Sequence, residues 1–376
     1  MMAFFTVVMA GYLLLLLLLA YGWNRMPTPS AVAKGTKGMH RMISVVVPFR
    51  NEANQLHHLI RSLTELEYPA DRFEAIFVND HSEDNSLEVV RSLVHDKPNF
   101  FLVGLEDGHR GKKAAIAFGV ERANGEVIAT TDADCSVPGQ WLQAINASFD
   151  EEGTRMVWGG VRLQGHTFFS ALQAMEFSSL IGAGAATLSL GFFTMCNGAN
   201  MAFRKQSFEA VNGYKGNVQV PSGDDEFLAR KILGAFPRSA RFLKTRKAIV
   251  ISRPAPNLKA FVHQRLRWAG KWRYNPSWPA RVLAVHILLA QVAFIGLLFM
   301  AGFADGPRWP VLSLIGAKIC LEAAVVYPVA RFLEARWPWA AFGLLQLMYP
   351  FYVIGIGVMS QGMDYRWKGR SLSHKM

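Results

Sequence analysis

Long apolar stretches lie at both ends of the chain, and between them short apolar runs alternate with amphipathic segments. Met1 to Trp23 carries no charge, and Leu13 to Leu19 is an unbroken leucine run. About 20 apolar residues cross a bilayer as a helix, so residues 1–24 read as a transmembrane anchor. A cleaved signal peptide would need a basic start, a shorter apolar core and a small-residue cleavage site, and none is clear here. Val282 to Ala304, Trp309 to Ala330 and Trp337 to Met363 are three more apolar stretches, which make 282–363 a C-terminal membrane region. Lys318 and Glu322 interrupt the second of these four residues apart, on one helical face, where they can pair. Phe177 to Met195 is also uncharged and rich in Gly and Ala. The motifs before and after it need one compartment, so it is expected to be buried or to lie at the membrane surface.

Between Arg41 and Arg281 the pattern is that of a soluble domain, with 42–252 as its body. Ile43 to Pro48 is a short β-branched run that reads as a buried parallel strand. Asn51 to Leu66 has helical spacing, with Leu56, Leu59, Ile60 and Leu63 on one face. The spacing then predicts strands over Phe73–Val78, Phe100–Gly104 and Val127–Thr131, and helices over Ser86–Val94 and Lys112–Ala123. Strands alternating with helices mean an α/β fold with right-handed crossovers. Ligands of such sheets bind beyond the carboxyl ends of the strands. The polar residues fall at those ends: Arg50, Asn51 and Glu52, then Asn79 and Asp80, then Asp132 and Asp134.

Composition excludes several classes. Hydrophobic residues are 51% and charged residues 18% of the 376, which excludes disorder for the bulk of the chain. The three cysteines lie far apart with no CxxC, against a disulfide framework or a thiolate zinc site. The net charge of +12 admits nucleic acid, anionic lipid or an anionic substrate as partner; the membrane stretches decide against nucleic acid. Arg25, Lys34, Lys37 and Arg41 follow the anchor with no acid among them. Positive flanks stay cytoplasmic, which places the soluble block in the cytoplasm of a multi-pass inner-membrane protein. One anchor plus three spans would leave the tail, 364–376, outside, yet its basic residues Arg366, Lys368, Arg370 and Lys375 favour the inside. A re-entrant last stretch, broken at Pro350, would resolve that conflict.

Three constellations carry candidate chemistry. Asp132 and Asp134, separated by one residue just past a strand, suit a hard divalent cation that also takes substrate phosphates; the alternative is a solvated turn. Lys112, after Gly111, adds a cation near the same edge or is a helix-end surface charge. Asp224, Asp225 and Glu226 repel one another unless solvated or beside a cation. They open an amphipathic helix, whose positive end suits acids, or they hold a general base. The segment Arg253 to Arg281 has seven Lys and Arg and no acid. It suits either anionic lipid or a site where Arg267 holds a diphosphate and Trp268 stacks on a ring.

These motifs, in this order, resemble membrane-bound family 2 glycosyltransferases of GT-A fold, over roughly residues 43–275. The resemblance implies a parallel-rich nucleotide-sugar-binding domain, one N-terminal and about three C-terminal transmembrane helices, and an interfacial segment at 253–281. By it, ISVVVPFRNE contacts the nucleotide donor, which involves Pro48, Arg50 and Glu52. VNDHSEDNS implies that Asp80 holds the uracil or ribose, and GKKAAI matches the Gly-Lys element with Lys112. TDAD implies Mg²⁺ or Mn²⁺ and diphosphate on Asp132 and Asp134. Asn197, Gly198 and Asn200 resemble an acceptor-side loop, next to Asp224. GDDEFL makes Asp225 the catalytic base, and QRLRW fits QxxRW, which adds Gln264, Arg267 and Trp268. Asp224 departs from the family, which often has Glu there. The implied activity is inverting transfer from a UDP-sugar to a lipid or lipid-linked acceptor. The alternatives are a processive polysaccharide synthase, for which three C-terminal stretches are few, and a non-catalytic membrane scaffold or nucleotide sensor.

Overall fold

The computed structural model describes residues 2–27, 40–218, 220, 222–274, 277–303, 307–360, 365–367 and 370–372, with backbone alone for 272, 273, 279, 365–367 and 370–372. Lys34 and Lys37 of the basic flank, and Lys368 and Lys375 of the tail, lie outside the described residues, as does residue 275, the end of the resemblance. The chain divides into two compact units. One comprises 26–164 and 188–253; the other comprises 1–25, 165–187 and 254–376.

The first unit is built on a seven-stranded sheet of order β3-β2-β1-β4-β7-β5-β8. Its strands are β1 (Ile43–Phe49), β2 (Phe73–Asn79), β3 (Phe100–Gly104), β4 (Val127–Thr130), β5 (Met156–Gly159), β7 (Met201–Arg204) and β8 (Ala240–Leu243). A smaller pair joins β6 (Val161–Leu163) to β9 (Val250–Ser252) in parallel. β1 pairs in parallel with β2 on one side and β4 on the other. With neighbours on both edges and layers on both faces, all seven of its residues are buried, which is why it reads as a continuous apolar run. The strand continues one residue beyond Pro48. The helices α2 (Leu56–Thr64), α3 (Ser86–Val94), α4 (Lys112–Arg122) and α5 (Trp141–Ser148) connect these strands. α4 approaches the sheet closely at Gly119, where a Cβ would lie 2.5 Å from Val46 Cγ1 and 3.2 Å from Val78 Cγ2. Any side chain there would push the helix off the strands.

Two local readings are corrected. α2 begins at Leu56, five residues after the expected start. Asn51 has a positive φ of 52°, and the backbone N–H groups of Asn51 and Glu52 donate to the Ser82 and Ser86 hydroxyls. These bonds tie the segment to the β2–α3 loop and keep it from the helix. β4 ends at Thr130, one residue short of the expected end.

β7 runs antiparallel to both its neighbours, pairing Met201 with Thr130 at the end of β4. This reversal has a positional consequence. The residues before β7 emerge beside the carboxyl end of β4, which is where the residues after β4 also emerge.

Among the described residues, four helices are long and apolar enough to cross a membrane, all in the second unit: α1 (Met2–Arg25), α10 (Trp278–Phe303, with Ala280–Phe303 as the candidate span), α11 (Trp309–Phe332) and α12 (Trp339–Met359). α12 continues through Pro350 without ending there. The unit also holds α9 (Leu258–Gly270) and residues 168–187 of α6 (Phe168–Ser189). Ile181, Ala185 and Ala186 of α6 are buried, and Met175 packs in a cluster with Ala341 and Phe342 of α12. The backbone of a short hairpin, β10 (Tyr365–Trp367) and β11 (Arg370–Leu372), closes the chain.

Polar groups gather where these helices meet. Lys318 Nζ lies 3.0 Å from Glu322 Oε2, donates to Gln346 Oε1 at 2.7 Å, and sits 4.0 Å from the centre of the Phe294 ring. The Tyr12 hydroxyl donates to Glu322 Oε1 at 2.7 Å. The pair expected from the four-residue spacing therefore joins α1, α11 and α12. Removing one partner of a buried pair costs about 3–5 kcal/mol, because the other charge is left uncompensated, while replacing both by apolar groups is often neutral. Lys318→Met is thus expected to lower thermal stability in detergent markedly, and Lys318→Met with Glu322→Met to recover most of the loss. A double variant no more stable than the single one would contradict this account.

Candidate functional site

At the carboxyl ends of β1 and β2 the side chains hold each other. Arg50 is buried; its guanidinium donates to the Asp80 carbonyl at 3.0 Å and to the His81 carbonyl, and pairs with Glu83 at 2.6 Å. Asp80 is 2% exposed and accepts from the Gly111 N–H at 3.0 Å, at the start of α4. Pro48 lies within β1, level with Val78 of β2. The Glu52 carbonyl accepts from the N–H groups of Gln55 and Leu56 and so turns the chain into α2. Among the residues expected to meet the donor, Arg50 and Asp80 thus fix the loops that surround the sheet edge.

The next layer is electrostatic. Lys112, at the first position of α4, reaches Asp132 Oδ1 at 2.7 Å and Asp224 Oδ2 at 2.8 Å. Asp132 follows β4, and Asp224 opens α8 (Asp224–Ala235). Burial would push the ammonium down, but the two carboxylates outweigh it and hold Lys112 well above its ordinary value. Burial pushes Asp224 up, and Lys112 more than offsets this, so its carboxyl lies below the usual range. Glu226 is buried and pairs with Arg230 at 2.8 Å. Asp225 is less buried; its Oδ2 accepts from the Gly198 N–H at 3.1 Å and its Oδ1 from the Glu226 N–H at 2.7 Å. The three adjacent acids coexist because cations and N–H donors divide them.

The loop before β7 closes over this cluster. Asn197 caps it by accepting from the Ala199 N–H at 2.9 Å, and the Gly198 carbonyl accepts from the Thr130 hydroxyl at 3.0 Å. A Cβ on Gly198 would stand 2.9 Å from Asp224 Oδ2 and 3.3 Å from Asp225 Cβ. Only glycine allows the loop to come so close to the acids. Asn200 is fully buried. Its amide donates to the Gly160 and Ala248 carbonyls at 2.8 and 2.6 Å and accepts from Trp141 Nε1 at 2.9 Å. Its side chain therefore supports the loop from beneath. The structure brings together Lys112, Asp132, Asp224, Asp225 and Gly198 through direct contacts.

Asp134 lies two residues further on, with the Cys135 thiol 3.7 Å from its Oδ1. Burial first, and then Asp134 and Asp132, push that thiol well up, which disfavours the reactive thiolate. Among the described residues no three His, Cys, Asp or Glu side chains converge on one point. Two hard carboxylates do suit Mg²⁺ or Mn²⁺, whose remaining positions are filled by waters and substrate phosphates.

Gln264, Arg267 and Trp268 lie on α9, in the other unit, each part-exposed. Sequence reading gave Arg265 no role of its own and took Lys113 only together with Lys112, as a cation near the edge or a helix-end charge. Arg265 is 3% exposed and forms a fork with Glu176 of α6: Nε donates to Oε1 at 3.1 Å and Nη2 to Oε2. Burial lowers the guanidinium, Glu176 more than offsets it, and the net shift is upward. Nothing local in the sequence pairs two residues so far apart. Lys113, beside Lys112, is also buried and donates to the Asn217 and Val220 carbonyls at 2.8 and 2.9 Å, holding the chain that leads to Asp224. Its place after Lys112 was the available signal.

Comparison with known proteins gives the context. Residues 44–211 match the model of the Glycosyl transferase family 2. A beta-monoglucosyldiacylglycerol synthase of Trichormus variabilis is 25% identical over 255 residues, covering 66% of this chain and 53% of that protein. An undecaprenyl-phosphate 4-deoxy-4-formamido-L-arabinose transferase of Pseudomonas savastanoi is 29% identical over 119 residues, covering 30% and 35%. This chain thus spans about half the length of the first and about a third of the second. The mannosyltransferase PcManGT of Pyrobaculum calidifontis, solved with GDP-Man and Mn²⁺, superposes with a TM-score of 0.57 at 20% identity, covering 96% of this chain and 98% of that one. That likeness establishes the GT-A fold.

The Lys112 bridge makes a prediction for stability against pH. An unfolded Asp titrates near 3.9. In the wild type the depressed carboxyl of Asp224 contributes stability above that value, which is lost as pH falls through its lower folded value. In Lys112→Gln burial acts without the cation and raises Asp224, so the native state takes up a proton before the unfolded chain does, and acid stabilises it. The gap in Tm between wild type and Lys112→Gln should therefore narrow between pH 7 and 5. A gap that stays constant over that range would refute the bridge.

Proposed function

We infer that this chain, which carries a glycosyl transferase family 2 domain on a GT-A fold, is a membrane glycosyltransferase that moves a sugar from a UDP-linked donor to a lipid or lipid-linked acceptor. The observation that carries this reading is Lys112 bridging Asp132 and Asp224 at the carboxyl edge of the sheet, with Asp225 held beside Gly198. A lipid acceptor accords with the four long apolar helices among the described residues and with the diacylglycerol and undecaprenyl phosphate in the names of the two curated relatives.

The reaction proposed is a single displacement. The acceptor hydroxyl attacks the anomeric carbon, its proton passes to the Asp225 carboxylate, and the bond from that carbon to the diphosphate oxygen breaks. The configuration inverts. General-base help of this kind is worth about 10²–10⁴-fold. The two backbone N–H bonds fix the direction in which Asp225 presents its oxygens. Asp132 and Asp134 are the residues that would hold Mg²⁺ or Mn²⁺, which when bound neutralises charge on the leaving diphosphate. Lys112 supplies a further positive charge at Asp132. The QxxRW pattern assigns Gln264, Arg267 and Trp268 to the same reaction, with Arg267 as a diphosphate cation. Asp80 and Arg50 shape the pocket for the nucleoside.

Purified protein, incubated with a panel of labelled UDP-sugars and native lipid extract, should yield a glycolipid detectable by mass. Excess chelator should abolish transfer and Mg²⁺ or Mn²⁺ restore it. Asp225→Asn should transfer at least about 10²-fold more slowly with UDP binding retained, and Asp224→Asn should lose less. Full activity of Asp225→Asn, or of wild type in chelator, would overturn these roles.

The flank at Arg25 and Arg41 favours a cytoplasmic domain, on the side where nucleotide sugars are made. Protease added outside intact spheroplasts should leave residues 42–252 uncut; cleavage there would reverse the topology.

A further inference from the structure

Within QRLRW two side chains turn inward, Leu266 and, unusually for a charged group, Arg265. Gln264, Arg267 and Trp268 are part-exposed, whereas Arg265 is buried together with Phe261 one turn earlier. Taking a guanidinium and a carboxylate out of water costs several kcal/mol per ion, and an apolar pair of similar size would often hold two helices together as well or better. The arrangement around Arg265 does something an apolar pair would not. Nε and Nη2 engage both oxygens of Glu176, and Nη1 donates to Gln264 Oε1 at 2.5 Å. The guanidinium carbon lies 4.2 Å from the centre of the Trp268 ring and 4.5 Å from that of Phe261. Trp268 also lies against Phe177 of α6, with ring centres 5.9 Å apart. Glu176 is held from the far side by the Tyr352 hydroxyl of α12, which donates to Oε1 at 3.2 Å. One planar cation thus touches two of the three motif residues, and its own orientation is set by α6 and α12.

We propose that Arg265, fixed by Glu176, is a positioning residue for glycosyl transfer: its fork orients the Gln264 amide and the Trp268 ring. This rests on the transferase reading above. The planar shape is essential to it. A lysine would keep the charge but has no fork and no flat face for the ring. Misplacing a reacting group by about 1 Å can cost 10²-fold in rate, so the effect belongs in kcat.

The test compares wild type, Arg265→Lys, Glu176→Gln and the double variant Glu176→Met with Arg265→Met, each as the full chain in detergent. The double variant should unfold at or above the wild-type temperature. Its kcat should fall about 10–100-fold, with donor KM and UDP affinity within about twofold of wild type. Arg265→Lys should not restore kcat. A folded double variant, or a folded Glu176→Gln, that transfers within about twofold of wild type would overturn the proposal and leave the pair a purely structural one. A readout independent of transfer separates this from failure of the functional reading. With 5-fluorotryptophan incorporated, the ¹⁹F resonance of Trp268 is assigned by its loss in Trp268→Phe. It should shift or broaden in Arg265→Lys and in the double variant even if the wild type transfers no sugar, and an unchanged resonance would refute the positioning role.

Discussion

One part-buried ammonium sets the terms for the sheet edge. Lys112 stands between a carboxylate that follows β4 and another that opens α8, about ninety residues later in the chain. Without that cation the two acids, Asp224 largely buried and Asp132 part-exposed, would repel one another. With it, α8 can begin with three consecutive acids, placed where its N-terminal dipole also favours them. The other details serve the same approach. Gly198 has no side chain to hold the acids off, Thr130 ties its carbonyl down, and Lys113 fastens the chain that precedes Asp224. The reversed strand β7 delivers that glycine to the correct edge.

The parallel half of the sheet was legible because β1, β2 and β4 are buried almost throughout and read as apolar runs between helices with one apolar stripe. The other half was not. β5, β7 and β8 are four residues each, too short for period-two alternation to stand out, and nothing local marks β7 as reversed. At the site, residue types and spacing indicated Asp132, Lys112 and the acidic cluster 224–226, and the resemblance singled out Asp225, but neither gave their division of labour. Repulsion among the three acids reads from the sequence as a reason for raised proton affinity, whereas Lys112 holds Asp224 below its usual range. Asn200 reads as a polar loop residue, yet its amide is spent inside the protein on Gly160, Ala248 and Trp141. The fork between Arg265 and Glu176 spans 89 positions and leaves no periodic trace.

The unit with the long apolar helices follows a different logic. In a bilayer, lipid-facing surfaces would offer no hydrophobic gain for helix association, so packing and interhelical hydrogen bonds would carry more of it. Lys318, Glu322, Gln346 and Tyr12 supply directional contacts between α1, α11 and α12, and a misaligned register would strand a charge. Glu176, Arg265 and Tyr352 do likewise for α6, α9 and α12. In both clusters the polar groups specify which helix faces meet.

The position of β7 also constrains the order in which the nascent chain can fold. The strands β1 to β4 are contiguous in sequence and adjacent in space, so they can assemble as soon as residue 130 has left the ribosome. β5 is made next but has no partner on β4, because β7 belongs between them. The 45 residues from Gly160 to Arg204 must be synthesised first, which at ~5–20 residues per second takes roughly 2–9 s. During that interval β4 presents an open hydrogen-bonding edge, the kind of surface that recruits foreign strands, while the apolar helix α6 emerges beyond it. Translation speed through this stretch, and the chaperones present during it, therefore bear on the yield of the protein as directly as the stability of its finished fold.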